Sequence, residues 1–536
     1  MLRSKKKRRA ELLTFTTMNA TMKNNLFLCL GLLTATVAQS QETQLSASQP
    51  NIIYILADDL GYGDLGVYGQ EKIETPNIDA LAREGMRFTQ HYAGTPVCAP
   101  SRCVLLTGKH TGHAYVRGND EWKERGDVWD YMAMFNDSTL EGQRPLPVST
   151  VTIPKLLKSA GYATAMTGKW GLGAPHTASL PTTMGFDKFY GYNCQRQAHT
   201  YYPLHLYENE HRDYLPNDTV PPRTKLPEGA DPYDEASYTK FTLEAYAPDK
   251  MFEKITQFVA DNSDSPFFLY WATPIPHMPL QAPARWVDYY VEKFGEEEPY
   301  LGERSYFPHR YPHAAYAAMV SYLDEQVGKL VDQLKASNQY DNTLIIFTSD
   351  NGPSFNGGTD SPWFDSAGPF ASEKGRGKGS VYEGGIRVPM IATWPDRIAA
   401  GGVSDHISAF YDVMPTLAEL AGVPVPDDSD GISFLPTLLG SGPQPEHEFL
   451  YWEFPGYQGQ LAIRLGDWKF IRRELDSDTP TLELYNLSTN PEETKNVASQ
   501  HPKVVEEALA IFQQEHREAA SEAFRIPTME AKVMGK

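Results

Sequence analysis

Cys98, Pro100, Ser101 and Arg102 fall within one five-residue run, Cys98-Ala99-Pro100-Ser101-Arg102. Pro100 suits the first turn of a helix, and Ser101 can satisfy free N–H groups there. Cys98 is therefore expected at a helix N-terminus, where the dipole favours an anion or a developing oxyanion. Arg102, one turn on, would add a fixed positive charge on the same side. A bare cysteine in this place can also be a small core residue, or half of a disulfide with Cys103 or Cys194. Two acidic segments, Asp58-Asp59 and Asp350-Asn351-Gly352, supply three carboxylates and an amide carbonyl. That donor set suits a hard divalent cation, Ca²⁺ or Mg²⁺, better than Zn²⁺. Taken singly, the same residues also serve as ordinary turns and caps. His277, in a proline-punctuated loop, adds a titratable group.

Such groups act together only if the chain brings them to one place. Four short apolar runs read as buried parallel strands: Asn51–Ala57, Phe267–Ala272, Leu344–Thr348 and Pro389–Trp394. Helical patterns lie between them at Asn77–Glu84, Ile153–Ala160 and Ala314–Lys335. This alternation implies an α/β fold, a large sheet sandwiched by helices. Ligands in open α/β sheets gather at the carboxyl ends of strands. Asp58-Asp59, Asp350-Asn351 and His277 each come after such a strand. A Gly/Pro-rich stretch around Asp427–Pro445 then separates a different tail. There Leu461–Arg464, Trp468–Arg473 and Glu483–Asn486 read as short antiparallel strands, with Val504–Glu518 as one amphipathic helix on them. The domains expected are a catalytic unit over 48–440 and a smaller α+β subdomain over 441–536.

The chain carries 48 Lys+Arg against 68 Asp+Glu, a formal charge of −20. Such acidity argues against a general nucleic-acid binder, which needs a basic face. Four cysteines in 536 residues exclude a disulfide-built scaffold. The amino terminus runs against the acidity. Basic residues between Arg3 and Lys23 precede an apolar run, Leu26–Val37, and small residues around Ala38-Gln39-Ser40. This is the order of a secretory signal over 1–40, cleaved near Ala38–Ser40. The apolar run is too short for a stable membrane anchor, so export to a periplasmic or extracellular space is expected. Removing seven basic residues and Glu11 with the signal leaves −26.

Residues 98–108, CAPSRCVLLTG, match in full the sulfatase signature C-x-P-S-R-x₄-T-G. The segment Gly161–Trp170 resembles the second sulfatase signature, and 374–385, KGRGKGSVYEGG, looks like the family's lysine segment. The chain thus resembles the type I, formylglycine-dependent sulfatases, arylsulfatase-like enzymes of the alkaline-phosphatase-like fold. That resemblance implies a mixed sheet and the hydrolysis of sulfate esters. It implies that a maturation enzyme oxidises Cys98 to formylglycine, whose hydrate attacks sulfur with one hydroxyl and expels sulfate with the other. Asp58, Asp59, Asp350 and Asn351, together with the converted Cys98, match the family's calcium ligands. Arg102 would hold the hydrate and balance ligand charge, Lys169 and Lys378 would grip sulfate oxygens, and His277 would assist the leaving alcohol.

One departure stands out. The family usually reads G-K-W-H-L-G, whereas this chain has Gly168-Lys169-Trp170-Gly171-Leu172-Gly173. Another histidine is then expected to supply the base for the second step. His113 is the choice here, with His110 and His176 as alternatives. The segment Tyr192–Tyr202 offers Arg196, Gln197, His199 and aromatic faces for sugar recognition, and Arg117 and Asn119 are similar candidates. The expected substrate is sulfated carbohydrate, an algal polysaccharide such as ulvan or carrageenan or a glycosaminoglycan. The competing readings are a phosphatase or phosphodiesterase of the same fold and a non-catalytic sulfated-glycan binder.

Overall fold

The structure is a computed structural model. It describes residues 49–527 apart from Asp476 and Asp478, so the expected signal segment 1–40 lies outside the described residues. Eleven strands form the main sheet. In spatial order they are Gly402–Ser404, Met86–Tyr92, Arg387–Thr393, Thr343–Ser349, Asn51–Ala57, Phe267–Ala272, Ala163–Lys169, Lys188–Tyr192, His205–Glu208 and His211–Tyr214. Ser408–Ala409 pairs beside Met86–Tyr92. The five strands from Thr343–Ser349 to Lys188–Tyr192 are mutually parallel. Arg387–Thr393 on one side and His205–Glu208 on the other join antiparallel, so the sheet is mixed.

The central strands are buried along their whole length because both faces are covered. Ile53 and Ile55 belong to one apolar cluster, together with the helix Pro312–Ala336. Ile52, Tyr54 and Leu56 belong to the other, together with the helix Cys98–Thr107. Alternation along one strand thus feeds two cores, which is why NIIYILA is apolar throughout. Asn51–Ala57 and Phe267–Ala272 have the bounds that their composition announces. The strand Ala163–Lys169, ATAMTGK, is not apolar enough to be legible, yet it lies within the parallel array. Gly168 is what lets it do so. Its φ is +117°, and a Cβ there would stand 1.9 Å from the Ala272 carbonyl oxygen of the neighbouring strand.

A second sheet of four antiparallel strands runs Leu450–Phe454, Gln460–Leu465, Trp468–Arg473, Thr481–Asn486. The helix Pro502–Glu515 packs on it through Ala508 and Phe512. The first of these strands was not expected from the sequence, and it fastens the second sheet to one face of the main sheet. Trp452 is fully buried in the main cluster, and its indole N–H donates to the Ala93 carbonyl at 2.9 Å. Trp452→Ala is expected to cost about 3–5 kcal/mol of unfolding free energy in a denaturant titration. A loss below about 1 kcal/mol would show that the two sheets are not coupled through this side chain.

Candidate active site

Four adjacent parallel strands end in the candidate site residues. Asn51–Ala57 leads into Asp58 and Asp59, and Thr343–Ser349 into Asp350 and Asn351. Phe267–Ala272 leads into the loop holding His277, and Lys169 closes Ala163–Lys169. The ladder continues just past the strand ends, with Asp350 N donating to Ala57 O at 3.0 Å and Asp58 N to Ile275 O at 3.0 Å. Asp59 adopts φ +67°, rare for a side-chain-bearing residue. That turn lets its N–H reach Asp350 Oδ1 at 3.2 Å.

Cys98 opens the helix Cys98–Thr107, every residue of which is buried. The expected helix N-terminus is there, but Ser101 does not cap it. Its hydroxyl accepts from Gly94 N at 3.1 Å, and Asn119 Oδ1 takes the free Ala99 N–H at 3.2 Å. Cys98, Cys103 and Cys194 are free, so no disulfide claims the thiol. Cys98 Sγ lies 3.5 Å from Asp58 Oδ1 and 3.4 Å from Lys378 Nζ.

Three cations compensate the three carboxylates. Arg102, wholly buried, donates from Nε and Nη2 to Asp350 Oδ2 at 3.1 and 2.9 Å, and Nη2 lies 3.2 Å from Asp58 Oδ2. Its Nη1 donates to Lys169 O at 2.6 Å. Lys169 Nζ binds Asp58 Oδ2 at 2.7 Å, and Lys378 Nζ binds Asp59 Oδ1 at 2.6 Å. Burial alone would raise Asp58, but Lys169 and Arg102 outweigh it and hold the carboxyl well below its usual range. Burial wins at the other two. Asp350 is pushed up to about 7 by burial and by neighbouring Asp58, against the pull of Arg102. Asp59 is also raised, by burial and Asp58 against Lys378. The Cys98 thiol is pushed up to about 12 by burial and by Asp58.

His277 Nδ1 lies 2.6 Å from the Met278 carbonyl, so it donates there and turns Nε2 toward the site, 3.8 Å from Asp59 Oδ2. Burial and the two lysines hold this imidazole neutral, well below 6.5. His199 stacks parallel on it, ring centroids 5.6 Å apart, and Tyr306 packs edge-on against both. A cavity of about 600 Å³ opens above these groups. Its lining includes Cys98, Lys169, Lys378, His277, His199, Asn119 and Arg196.

Several expectations are corrected. His113 is not in the cavity. It sits past the far end of the helix that Cys98 opens, about 15 Å of helix away, where its Nδ1 meets Asp430 at 2.8 Å and its ring stacks on His110 at 4.3 Å. His176 meets the Ser138 hydroxyl at 2.7 Å in an exposed turn. None of these three histidines can serve as the base. At the altered motif, Gly171 has φ +72°, and a Cβ would lie 2.8 Å from the Gln195 side chain. The histidine brought to the cavity is instead His199. Arg117 is a structural staple, its guanidinium donating to Glu453 Oε1 and to the carbonyls of Arg517, Gly112 and Ala114 at 2.8–3.0 Å. Arg196 reaches the cavity already paired with Glu121 at 2.6 Å. Tyr192 and Tyr201 are wholly buried and present no face to a sugar, and Gln197 donates to Glu141 inside the fold. Sequence reasoning missed Trp129, Tyr306, Tyr457 and Arg473, all of which line the cavity. The glycines flanking Tyr457 in Pro455–Gly459 were the one available signal.

The donor set fits a metal. Asn351 is buried; its Nδ2 donates to Asp59 Oδ1 at 2.8 Å and to Gly352 O at 2.9 Å, leaving Oδ1 with no partner. Ligand atoms of Asp58, Asp59, Cys98 and His277 lie within 4.8 Å of one another. Three carboxylates and an orphaned amide oxygen are the chemistry of a hard divalent cation.

This fold, with a buried strand-end cluster of acidic, basic and thiol groups, points to a hydrolase. The family model described as Sulfatase matches residues 50–423, and the one described as N-sulphoglucosamine sulphohydrolase, C-terminal, matches 376–518. The chain belongs to the sulfatase family, with the alkaline-phosphatase-like fold, and is a sulfuric ester hydrolase. It is 32% identical to arylsulfatase A of Homo sapiens over 511 residues, covering 86% of each chain. It is 31% identical to N-acetylgalactosamine-6-O-sulfatase of Bacteroides thetaiotaomicron, over 87% of this chain and 93% of the relative. The crystal structure of Ps i-CgsB in complex with k-i-k-neocarrahexaose superposes with a TM-score of 0.69 at 27% identity, over 90% of this chain and 96% of that one. Phosphonate monoester hydrolase of Agrobacterium radiobacter, 20% identical with a TM-score of 0.58, shares the fold.

Removing Arg102 would leave Asp350 and Asp58 without their guanidinium in a buried site. Arg102→Ala is expected to destabilise metal-free protein by about 3–5 kcal/mol. An unchanged unfolding midpoint would refute the charge compensation described here.

Proposed function

We propose that this sulfatase removes sulfate from sulfated carbohydrate, with Cys98 acting as formylglycine beside one calcium ion. The observation that carries the reading is the setting of Cys98. Its thiol is buried and its pKa raised, a poor nucleophile as cysteine, yet it stands at a helix N-terminus touching both Asp58 and Lys378. A matured Cys98 would supply a hydrated aldehyde, one hydroxyl attacking sulfur and the other later expelling sulfate. Asp58, Asp59, Asp350 and Asn351 would hold Ca²⁺, with Mg²⁺ the lesser alternative, and the cation would polarise sulfate oxygens.

The protein's own groups do the rest. Lys169 and Lys378 point their ammonium groups into the cavity floor, where charge gathers on sulfate during S–O cleavage. Arg102 does not reach substrate; it fixes Asp58 and Asp350 and keeps their charge compensated. His277 Nε2 faces the site and can hydrogen-bond or protonate the bridging oxygen once an anion raises its proton affinity. His199, stacked on His277, is the imidazole placed to take over from the missing histidine at Gly171.

Carbohydrate is supported by relatives named N-acetylgalactosamine-6-sulfatase and N-acetylgalactosamine-6-O-sulfatase, and by the neocarrahexaose in complex with a structural neighbour. Sulfated algal galactans and glycosaminoglycan fragments are therefore the substrate classes to test. Among the described residues no helix is long and apolar enough to cross a membrane. The signal over 1–40 supports export to the periplasm or medium, and a formylglycine-generating enzyme is the partner required before secretion.

The test is sulfate release against phosphate release, paired with the mass of the peptide carrying Cys98. Active enzyme is expected to carry the aldehyde, to release sulfate in preference to phosphate, and to lose at least about 10³-fold in kcat as Cys98→Ala. Full activity with unmodified Cys98 would contradict the mechanism.

A further inference from the structure

Trp129 and Tyr457, with 70% and 72% of their surfaces exposed, are the two most exposed large apolar side chains among the described residues, and both line the cavity over Cys98. Water-facing indole and phenol rings at one cavity ask for a partner. Other exposed apolar residues, such as Val148, Tyr214 and Val403, lie away from it.

Tyr457 is held there at a cost. It sits in the turn between strands Leu450–Phe454 and Gln460–Leu465, with φ +51°, and Gln458 comes next at φ +70°. Two successive side-chain-bearing residues in the left-handed region are strained, and such strain concentrates at functional sites. Gly379, next to Lys378, makes room for the ring: a Cβ there would lie 2.6 Å from Tyr457 Cε2. Phe454 supports the ring from behind, centroids 6.0 Å apart. The phenol is thus fixed beside the sulfate-gripping lysine with its remaining surface open.

The charges at the cavity differ in a telling way. Lys169, Lys378, Arg196 and Arg473 are each paired with a carboxylate. Lys374 lines the same cavity, is exposed, and forms no ion pair among the described residues. It belongs to the lysine segment, yet it is not the lysine that reaches Asp59.

We propose that the cavity mouth is a second sugar subsite. The substrate is then at least a disaccharide. Its sulfated ring stands over Cys98, Lys169 and His277, and its next ring stacks on Trp129 and Tyr457, with a second anionic substituent on Lys374. Aromatic faces suit the C–H face of a pyranose, and an unpaired ammonium suits a sulfate or a uronate carboxylate. This rests on the sulfated-carbohydrate reading above and adds to it the minimum length and second charge of the substrate.

The test compares matured wild type with Trp129→Ala, Tyr457→Ala and Lys374→Ala. The substrates are chondroitin 6-sulfate disaccharide, ι-carrageenan oligosaccharides, N-acetylgalactosamine 6-sulfate and 4-nitrophenyl sulfate. Each aromatic variant is expected to lose about tenfold in kcat/KM on the oligosaccharide that wild type prefers, through KM, and nothing on 4-nitrophenyl sulfate. Lys374→Ala should lose about three- to tenfold on that oligosaccharide and flatten its salt dependence. A loss confined to the uronate disaccharide marks carboxylate recognition, and one confined to the galactan marks sulfate. Equal losses on oligosaccharide and aryl sulfate, or no loss on an oligosaccharide, would overturn the subsite. Wild type that turns over the monosaccharide as well as any oligosaccharide would also overturn it. Wild type active on 4-nitrophenyl sulfate but on no carbohydrate sinks the carbohydrate reading and this proposal with it. Wild type inactive on every ester sinks the formylglycine reading first.

Discussion

Three carboxylates stand buried at the ends of adjacent parallel strands, and their charge must be answered locally. Taking an unpaired carboxylate out of water costs several kcal/mol. Arg102, Lys169 and Lys378 answer Asp350, Asp58 and Asp59 one for one. The compensation explains why the helix carrying Arg102 must be wholly buried, and why Lys169 ends a central strand rather than a surface one. It also leaves no net negative charge in the pocket before any cation binds. A divalent ion would then make the floor positive, which is what an anionic ester needs inside a protein of formal charge −20.

The second sheet belongs to the same construction. Trp452 anchors it in the main core, and Arg117 ties its first strand to the loop after the helix Cys98–Thr107. With that strand fixed, the turn Pro455–Gly459 stands over Gly379 and Lys378. The sheet that looks like an appendage in sequence therefore supplies part of the cavity wall.

Asp58, Asp59, Asp350, Asn351 and Cys98 were legible in sequence because they sit at the ends of strands or at the start of a helix with strong local signals. Lys169 and Lys378 came only from the resemblance to the sulfatase segments. NIIYILA and FFLYWA are apolar throughout, so the polar residues just beyond them could be assigned to a sheet edge. Ala163–Lys169 was not legible as a strand, since its fit depends on Gly168 meeting Ala272 rather than on its own composition. His113 misled because the helix Cys98–Thr107 carries the chain away from Cys98. Arg117 misled because its guanidinium is taken up by Glu453 and backbone carbonyls, although Asn119, two residues on, returns to Ala99. His199 reaches the site from a distant segment, and Tyr457 from another sheet, through contacts no local pattern encodes.

The central claim is that this compensated carboxylate set is a hard-cation site. Calorimetric titration of Ca²⁺ into metal-stripped protein tests it most directly, with Asn351→Ala and Asp350→Ala as comparisons. One ion per chain should bind wild type, Zn²⁺ should not displace it at equal concentration, and both variants should weaken it by about tenfold or more. No calcium binding, or equal binding by the variants, would contradict the account.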